Sequence, residues 1–276
     1  MNFIDPVCEN LHPLQLNPGK ILIGPESVQE LLARIFAGFP DTFEWHCNFF
    51  PASDLIKQLA GKRDFTVVTD DGREAGRAGS GKTTVKFSGV EIVYPWDLLK
   101  ISEMLVSDLP NSTVSGKVSS RAEVDGYILL GENSVILPGV YIEGNCVIGK
   151  NCKIGPNCYI RGCTCIGDNC HIGQAVEIKN SIIGTKTSIG HLSYLGDSVV
   201  GSGVNFGAGT IVANLRHDGK NHRSMVDGVL VDTQRRKFGC IIGDNVHTGI
   251  HTAIYPGRKL AAGSSTRPGE IVKDDL

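Results

Sequence analysis

Residues 136–178 read ILPGVYIEGNCVIGKNCKIGPNCYIRGCTCIGDNCHIGQAVEI, and within them an aliphatic residue returns at every sixth position. The series starts earlier, and Val118, Val124, Leu130, Ile136, Ile142, Ile148, Ile154, Ile160, Ile166, Ile172 and Ile178 keep unbroken step. Six is neither the helical period nor the simple alternation of a strand. It suits a short strand plus a turn, three of which close a triangular coil, with successive coils stacked by parallel hydrogen bonding. The chain is therefore expected to be mainly β: a left-handed parallel β-helix of hexapeptide repeats over residues 108–276, behind a small α/β domain over residues 1–107. Gly131, Gly149, Gly155, Gly167 and Gly173 directly follow inward aliphatics, where glycine is expected to supply the unusual φ of a tight corner.

The step shortens by one residue at Ile183 and again at Val200, and otherwise runs through Ile189, Leu195, Phe206 and Val212. It stops after Asn214, and the polar, basic stretch NLRHDGKNHRSMVDGVLVDTQRRKFG separates it from Ile242, Thr248, Ile254 and Leu260. Residues 214–239 are thus expected to loop out of one corner, and long loops on rigid scaffolds commonly carry function.

Two positions before an inward aliphatic lies a second inward position, narrow enough to require a small side chain. Cys146, Cys152, Cys158, Cys170 and Cys240 occupy it, which makes them buried packing residues rather than metal ligands. Cys163 and Cys165 fall off this register. An odd total of nine cysteines argues against a disulfide framework.

A formal net charge of −2 implies no general attraction to nucleic acid or to an anionic membrane, so any anion site must come from a local cluster. The first twenty residues lack a basic region followed by an apolar core, and no apolar stretch approaches the roughly 20 residues needed to span a bilayer. A cytoplasmic location is the expectation. In the first domain, Ser27 could cap a helix through Phe39, Phe65–Thr69 and Val90–Val93 look like strands, and PWDLLKISEML suggests a helix entering the repeats. Gly76–Thr83, GRAGSGKT, fits the phosphate-loop pattern, which works only where a helix begins at the lysine. The alternating, β-branched TVKFSGVEIVYP that follows predicts a strand instead, so the segment reads as a glycine-rich turn.

Stacking brings the polar residues into relation. Arg161 and Lys179 lie one eighteen-residue coil apart, each directly after an inward isoleucine, and should sit about 4.8 Å apart on one corner. Like charges so placed repel, whereas a phosphate would bind both. His191 and Tyr194 are expected just before the same corner, because Leu195 should stack on Ile178, with Asn205 on the adjacent strand. An imidazole is mostly neutral at pH 7 and can take a proton from an attacking amine, so His191 is a candidate general base.

At this point RGCTCIGDNCHIGQAVEIKNSIIG, GHLSYLGDSVVGSGVNFGAGTIVANL and YPWDLL resemble the acetyltransferase half of the bifunctional glucosamine-1-phosphate acetyltransferase/N-acetylglucosamine-1-phosphate uridylyltransferase family. The similarity is greatest to the archaeal-type sugar-1-phosphate nucleotidylyltransferase/acetyltransferases, covers about residues 90–276 and is dense over 158–214. It implies a role in UDP-N-acetylglucosamine synthesis, with acetyl-coenzyme A as co-substrate. Arg161 and Lys179 would hold the sugar phosphate, Tyr194 and Asn205 would position the sugar, and His191 would deprotonate the amine. Ala208 and Asn214 would line the acetyl-coenzyme A site. The active sites would lie between subunits of a homotrimer, with neither nucleic acid nor membrane as partner. Three departures stand out. Leu215 occupies the place of a tyrosine in the bacterial enzymes; Lys220, His222 and Arg223 compete for the place of a loop lysine; and residues 1–107 are too short for a uridylyltransferase and lack its glycine-rich opening, so no nucleotidyl transfer is expected.

Two other functions compete. A metal-dependent hydratase of the γ-carbonic anhydrase type needs three converging imidazoles. His171, His191, His217, His222, His247 and His251 are numerous enough, but stacking brings no triplet of them together. A non-catalytic trimeric subunit binding a sugar nucleotide would have no need of the base at His191.

Overall fold

The computed structural model describes residues 1–14 and 17–276. From Thr113 onward the chain winds as a left-handed β-helix with three parallel faces. The first face stacks eight strands from Thr113–Val114 to Arg258–Leu260, the second six from Lys117–Val118 to Asn205–Phe206, and the third eight from Glu123–Asp125 to Ile271–Val272. Register follows the sixfold step. Ile142 stacks on Ile160, Ile160 on Ile178 and Ile178 on Leu195, and all are buried in one interior column. Val118, at the uncovered first coil, is exposed, because nothing below it closes the column.

The five in-register cysteines line that column, and all nine cysteines are free thiols. Cys165 is buried on the other side of the wall, where Ser102 donates to its sulfur at 3.3 Å. Thr164 takes the small inward place instead, stacked on Cys146. This explains why Cys165 falls off the register.

One expectation about the corners is corrected. Gly131, Gly149, Gly167 and Gly173 do not adopt positive φ, although Gly155 does, at 100°. What they lack room for is a Cβ: one on Gly131 would lie 2.5 Å from the carbonyl carbon of Gly149 in the coil above. Left-handed φ falls instead to other glycines, such as Gly139, Gly162 and Gly203, and to asparagines, among them Asn133, Asn151 and Asn169, whose short polar side chains tolerate it.

The N-terminal residues build a five-stranded sheet in the order Asn2–Ile4, Glu44–His46, Glu74–Ala78, Phe65–Val68, Thr84–Lys86. Helix α1, Val28–Ile35, is capped by a reciprocal Ser27–Glu30 box. It ends four residues before Phe39, where Phe36 and Phe39 turn into a cluster with Phe43 and Trp45. Helix α2 spans Ser53–Leu59 and α3 spans Asp97–Ser107. The expected strand Val90–Val93 stops at Glu91, because the Asp97 carboxylate accepts from the amides of Val93 and Tyr94 to start α3. After Lys82 comes the strand Thr84–Lys86, as alternation suggested. The glycine-rich turn is shorter than expected, because Gly76, Arg77 and Ala78 belong to the strand Glu74–Ala78; what remains is closed by Asp64, which accepts from the Lys82 amide at 2.8 Å and from the Ser80 hydroxyl. A carboxylate fills the place a phosphate would need.

This N-terminal core continues onto the first face of the β-helix, where Cys165, Ile182, Val199 and Ile241 are buried against it. Among the described residues no helix is long and apolar enough to cross a membrane.

Candidate functional site

The two shortened steps build the centre of the site. Where the third face turns into the first, the coil containing Arg161 uses two residues, Gly162 and Cys163, before Thr164. The next two coils use one, Asn180 and then Asp197, each at left-handed φ of 46° and 50°. Deleting one residue therefore puts an amide above Gly162 and a carboxylate above that amide.

Arg161 and Lys179 are register partners on adjacent rungs, as the spacing demanded. Each meets a carboxylate that coil stacking alone did not single out. Arg161 donates from Nε and Nη2 to Glu177 Oε1 at 2.9 and 2.7 Å, and its guanidinium lies over the Tyr159 ring at 5.3 Å. The Glu177 hydrogen bond pushes the Arg161 pKa still higher. Lys179 Nζ donates to both Asp197 oxygens, at 2.9 and 2.8 Å. Burial separates the pairs: the Arg161 and Glu177 side chains are each 33% exposed, Lys179 15% and Asp197 3%. The like-charge repulsion expected between the two cations is thus already compensated within the chain.

Above Lys179 in the same column stands Gly196. A Cβ there would come within 2.5 Å of Asn214 Nδ2 and 2.6 Å of Tyr194 Oη, so the glycine makes room for both. Asn214 Nδ2 donates to Tyr194 Oη at 3.0 Å and to Asp197 Oδ2 at 2.6 Å. Desolvation, then the nearby Glu177 and Asp197 charges, raise the Tyr194 pKa, keeping its hydroxyl neutral.

His191, Asn205 and Ala208 fall elsewhere. His191 ends a strand of the second face, exposed, at the corner leading into the third face. Ala208 lies in the turn above it, where the Gly209 amide donates to the His191 carbonyl, and Asn205 is exposed on the second face in register with Ser188. The expectation of one shared corner is corrected: His191 and Lys179 border opposite edges of the third face. That face is one short strand wide, about 7 Å for the two-residue step from Tyr194 to Gly196.

The inserted segment is anchored rather than loose. Its hairpin, Arg223–Val226 with Val229–Asp232, is tied down through Ser224 to the Gly257 carbonyl, and Phe238 packs against Trp96 at 5.9 Å. His222 is buried, and its Nε2 must donate to the Asn214 carbonyl, 3.0 Å away, because a carbonyl can only accept. That removes it from the three candidates for a residue reaching a neighbouring site and leaves the exposed Lys220 and Arg223.

Burial, the largest cause, lowers the His222 pKa below its ordinary 6.5. A depressed folded-state pKa contributes stability that is present above the unfolded value and is lost as pH falls through the folded one. Stability should therefore decline below about pH 6.5, and His222→Gln, which still donates to the carbonyl, should flatten that acid limb. Urea midpoints at intervals from pH 8 to 5 would check this; parallel curves for variant and parent would refute it.

Among the described residues no three His, Cys, Asp or Glu side chains are grouped to hold a metal.

Residues 142–261 match the family model described as GMPPB C-terminal domain. A bifunctional sugar-1-phosphate nucleotidylyltransferase/acetyltransferase of Sulfurisphaera tokodaii is 40% identical over 187 residues, 68% of this chain and 47% of the relative. A bifunctional protein GlmU of Methanococcus maripaludis is 48% identical over 186 residues, 67% of this chain and 45% of the relative. The β-helical part of the chain is homologous to these proteins. The chain spans about half the length of these curated relatives. Among solved structures, a point mutant of AntD, an N-acyltransferase from Bacillus cereus, in complex with dTDP and coenzyme A, is 17% identical. The match covers 58% of this chain and 73% of that one, with a TM-score of 0.22.

Proposed function

We propose that the protein is a coenzyme A-dependent N-acetyltransferase that moves the acetyl group of acetyl-coenzyme A to the amine of an amino-sugar 1-phosphate. The observation that carries this is the third face itself, where Arg161 and Lys179 stack at one edge, Tyr194 and Asn214 lie beside them, and His191 stands at the opposite edge. A sugar ring laid across the face would direct its phosphate to one side and its amine to the other.

The two cations serve the phosphate differently. A partly exposed pair such as Arg161–Glu177 is worth about 0–1 kcal/mol, so an arriving phosphate exchanges for Glu177 at little cost. Lys179 keeps Asp197 and offers its third ammonium hydrogen. With the acceptor amine held as the free base, His191 takes its proton as nitrogen attacks the thioester carbonyl. The C–S bond then breaks, and the thiolate of coenzyme A leaves and is protonated through the same imidazole. Ala208, in the turn above His191, is assigned to the acyl-donor side, and Asn205 and Tyr194 to the sugar; Asn214, expected on the acyl-donor side, bonds Tyr194 and Asp197 at the phosphate edge and goes with the acceptor.

Exposed Leu192, Ile211, Ile250 and Ile271 border His191 and continue up the third face. Contiguous apolar side chains in water favour burial against a partner surface, which supports a homotrimer whose neighbouring copy closes over the site and brings Lys220 or Arg223 to it. Release of free thiol from acetyl-coenzyme A, followed with a panel of amino sugars with and without a 1-phosphate, tests the function. Turnover that depends on the phosphate is expected, and background rates with every acceptor would overturn it.

A further inference from the structure

The third-face edge that carries Lys179 does not end with the β-helix. Asn180 uses both hydrogens of its amide, one to Asp197 Oδ1 at 3.0 Å and one to Glu103 Oε1 of α3 at 2.8 Å. Glu103 in turn accepts from both terminal nitrogens of Arg235, which comes from the inserted segment. The order is Arg235, Glu103, Asn180, Asp197, Lys179: cation, anion, bridging amide, anion, cation. Two carboxylates brought this close would repel without the amide between them, and each needs its own cation at the far side. The Arg235 side chain is 11% exposed and its Nε is buried with no partner among the described residues, so Glu103 is its counter-ion.

From this chain of contacts we infer that Glu103, on the helix that leads from the N-terminal residues into the β-helix, is a positioning residue of the acyl-acceptor site. It acts through Asn180 and Asp197 on the ammonium of Lys179, and through Arg235 on the inserted segment that bears Lys220 and Arg223. This gives the N-terminal residues a function: α3 sets the aim of the phosphate-binding lysine. The inference rests on the proposed acetyl transfer for its kinetic consequence but not for its structural one.

Two readouts keep those apart. The first is the ¹⁵N-coupled ammonium signal of Lys179, assigned by its loss in Lys179→Met and followed without any substrate. Glu103→Ala should move it, and an unmoved signal overturns the inference whatever the activity. The second is kinetic. Glu103→Ala should raise KM for the sugar phosphate about tenfold and leave KM for acetyl-coenzyme A within about twofold, measured at a temperature where thermal melting shows the variant folded. Glu103→Gln, which retains an oxygen for Asn180, should recover most of that loss. A rise shared equally by both substrates would mark a merely structural residue and refute the positioning role. If the ammonium signal moves but the parent protein turns over no acceptor, the coupling stands and the proposed activity falls.

Discussion

Replacing His191 with alanine is expected to lower kcat for acetyl transfer by roughly 10²- to 10⁴-fold, the usual worth of general acid–base catalysis. The change in KM for the sugar phosphate should be small, about threefold or less, because the cations proposed to hold the phosphate sit at the other edge of the third face. The structure separates this loss from any loss of fold. The hydrogen bonds at this position run through the His191 carbonyl, which accepts from Ser193 Oγ at 2.8 Å and from the Gly209 amide, while the imidazole is exposed. Stability should thus stay within about 0.5 kcal/mol of the parent. Steady-state thiol release, with thermal melting of the same samples, provides the check. A kcat reduced less than fivefold would remove the imidazole from the proton path and leave acetyl transfer to another base. His171, one coil below, with its pKa depressed by burial, then by Lys153 and His191, is an imidazole that could substitute.

The β-helix was legible because its rule is local and repeated. One inward aliphatic every six residues gives the coil, and the interior column from Leu130 to Leu260 follows it. Register was equally legible, and with it the pairing of Arg161 with Lys179 and of Ile178 with Leu195. The corners were not. A one-residue deletion in a hexapeptide step can be absorbed at any of several turn positions, and periodicity does not say which. The deletions fall between the third face and the first, so Asn180 and Asp197 become the whole of their corners and the site acquires an anion that stacking alone left out of account.

The docking of the N-terminal residues had a signal that a search for inward positions passes over. Ile182–Ile183, Val199–Val200 and Ile241–Ile242 are apolar doublets on the first face. A strand alternates its side chains, so a doublet is apolar on both sides and must be covered outside as well as in. All three outward members are buried. The Glu103–Arg235 contact had no such signal, since it joins residues 132 apart through two segments without a repeat.

Asp197→Asn should be the most damaging single substitution at the site in terms of stability, costing about 3–5 kcal/mol, the range for removing one partner of a buried ion pair. Asparagine keeps the shape and, like aspartate, tolerates φ of 50°, so the variant isolates the charge. Lys179 would be left as a recessed ammonium facing a neutral amide. The Asn180 and Asn214 amides would compete for one oxygen where they now have two. Glu177→Gln makes the same chemical change one rung away, but its pair with Arg161 is one-third exposed, so about 0–1 kcal/mol is expected. The contrast between two carboxylates on the same face, seen in urea unfolding, measures how much burial rather than mere pairing contributes. Joining Lys179→Met to Asp197→Asn should then restore much of the stability, since removing both members of a buried pair is often near neutral. Phosphate recognition should not return with it. If Asp197→Asn unfolds at the same urea concentration as the parent, the Lys179 ammonium is hydrated in solution, and the recessed cation on which the acceptor site was built does not exist.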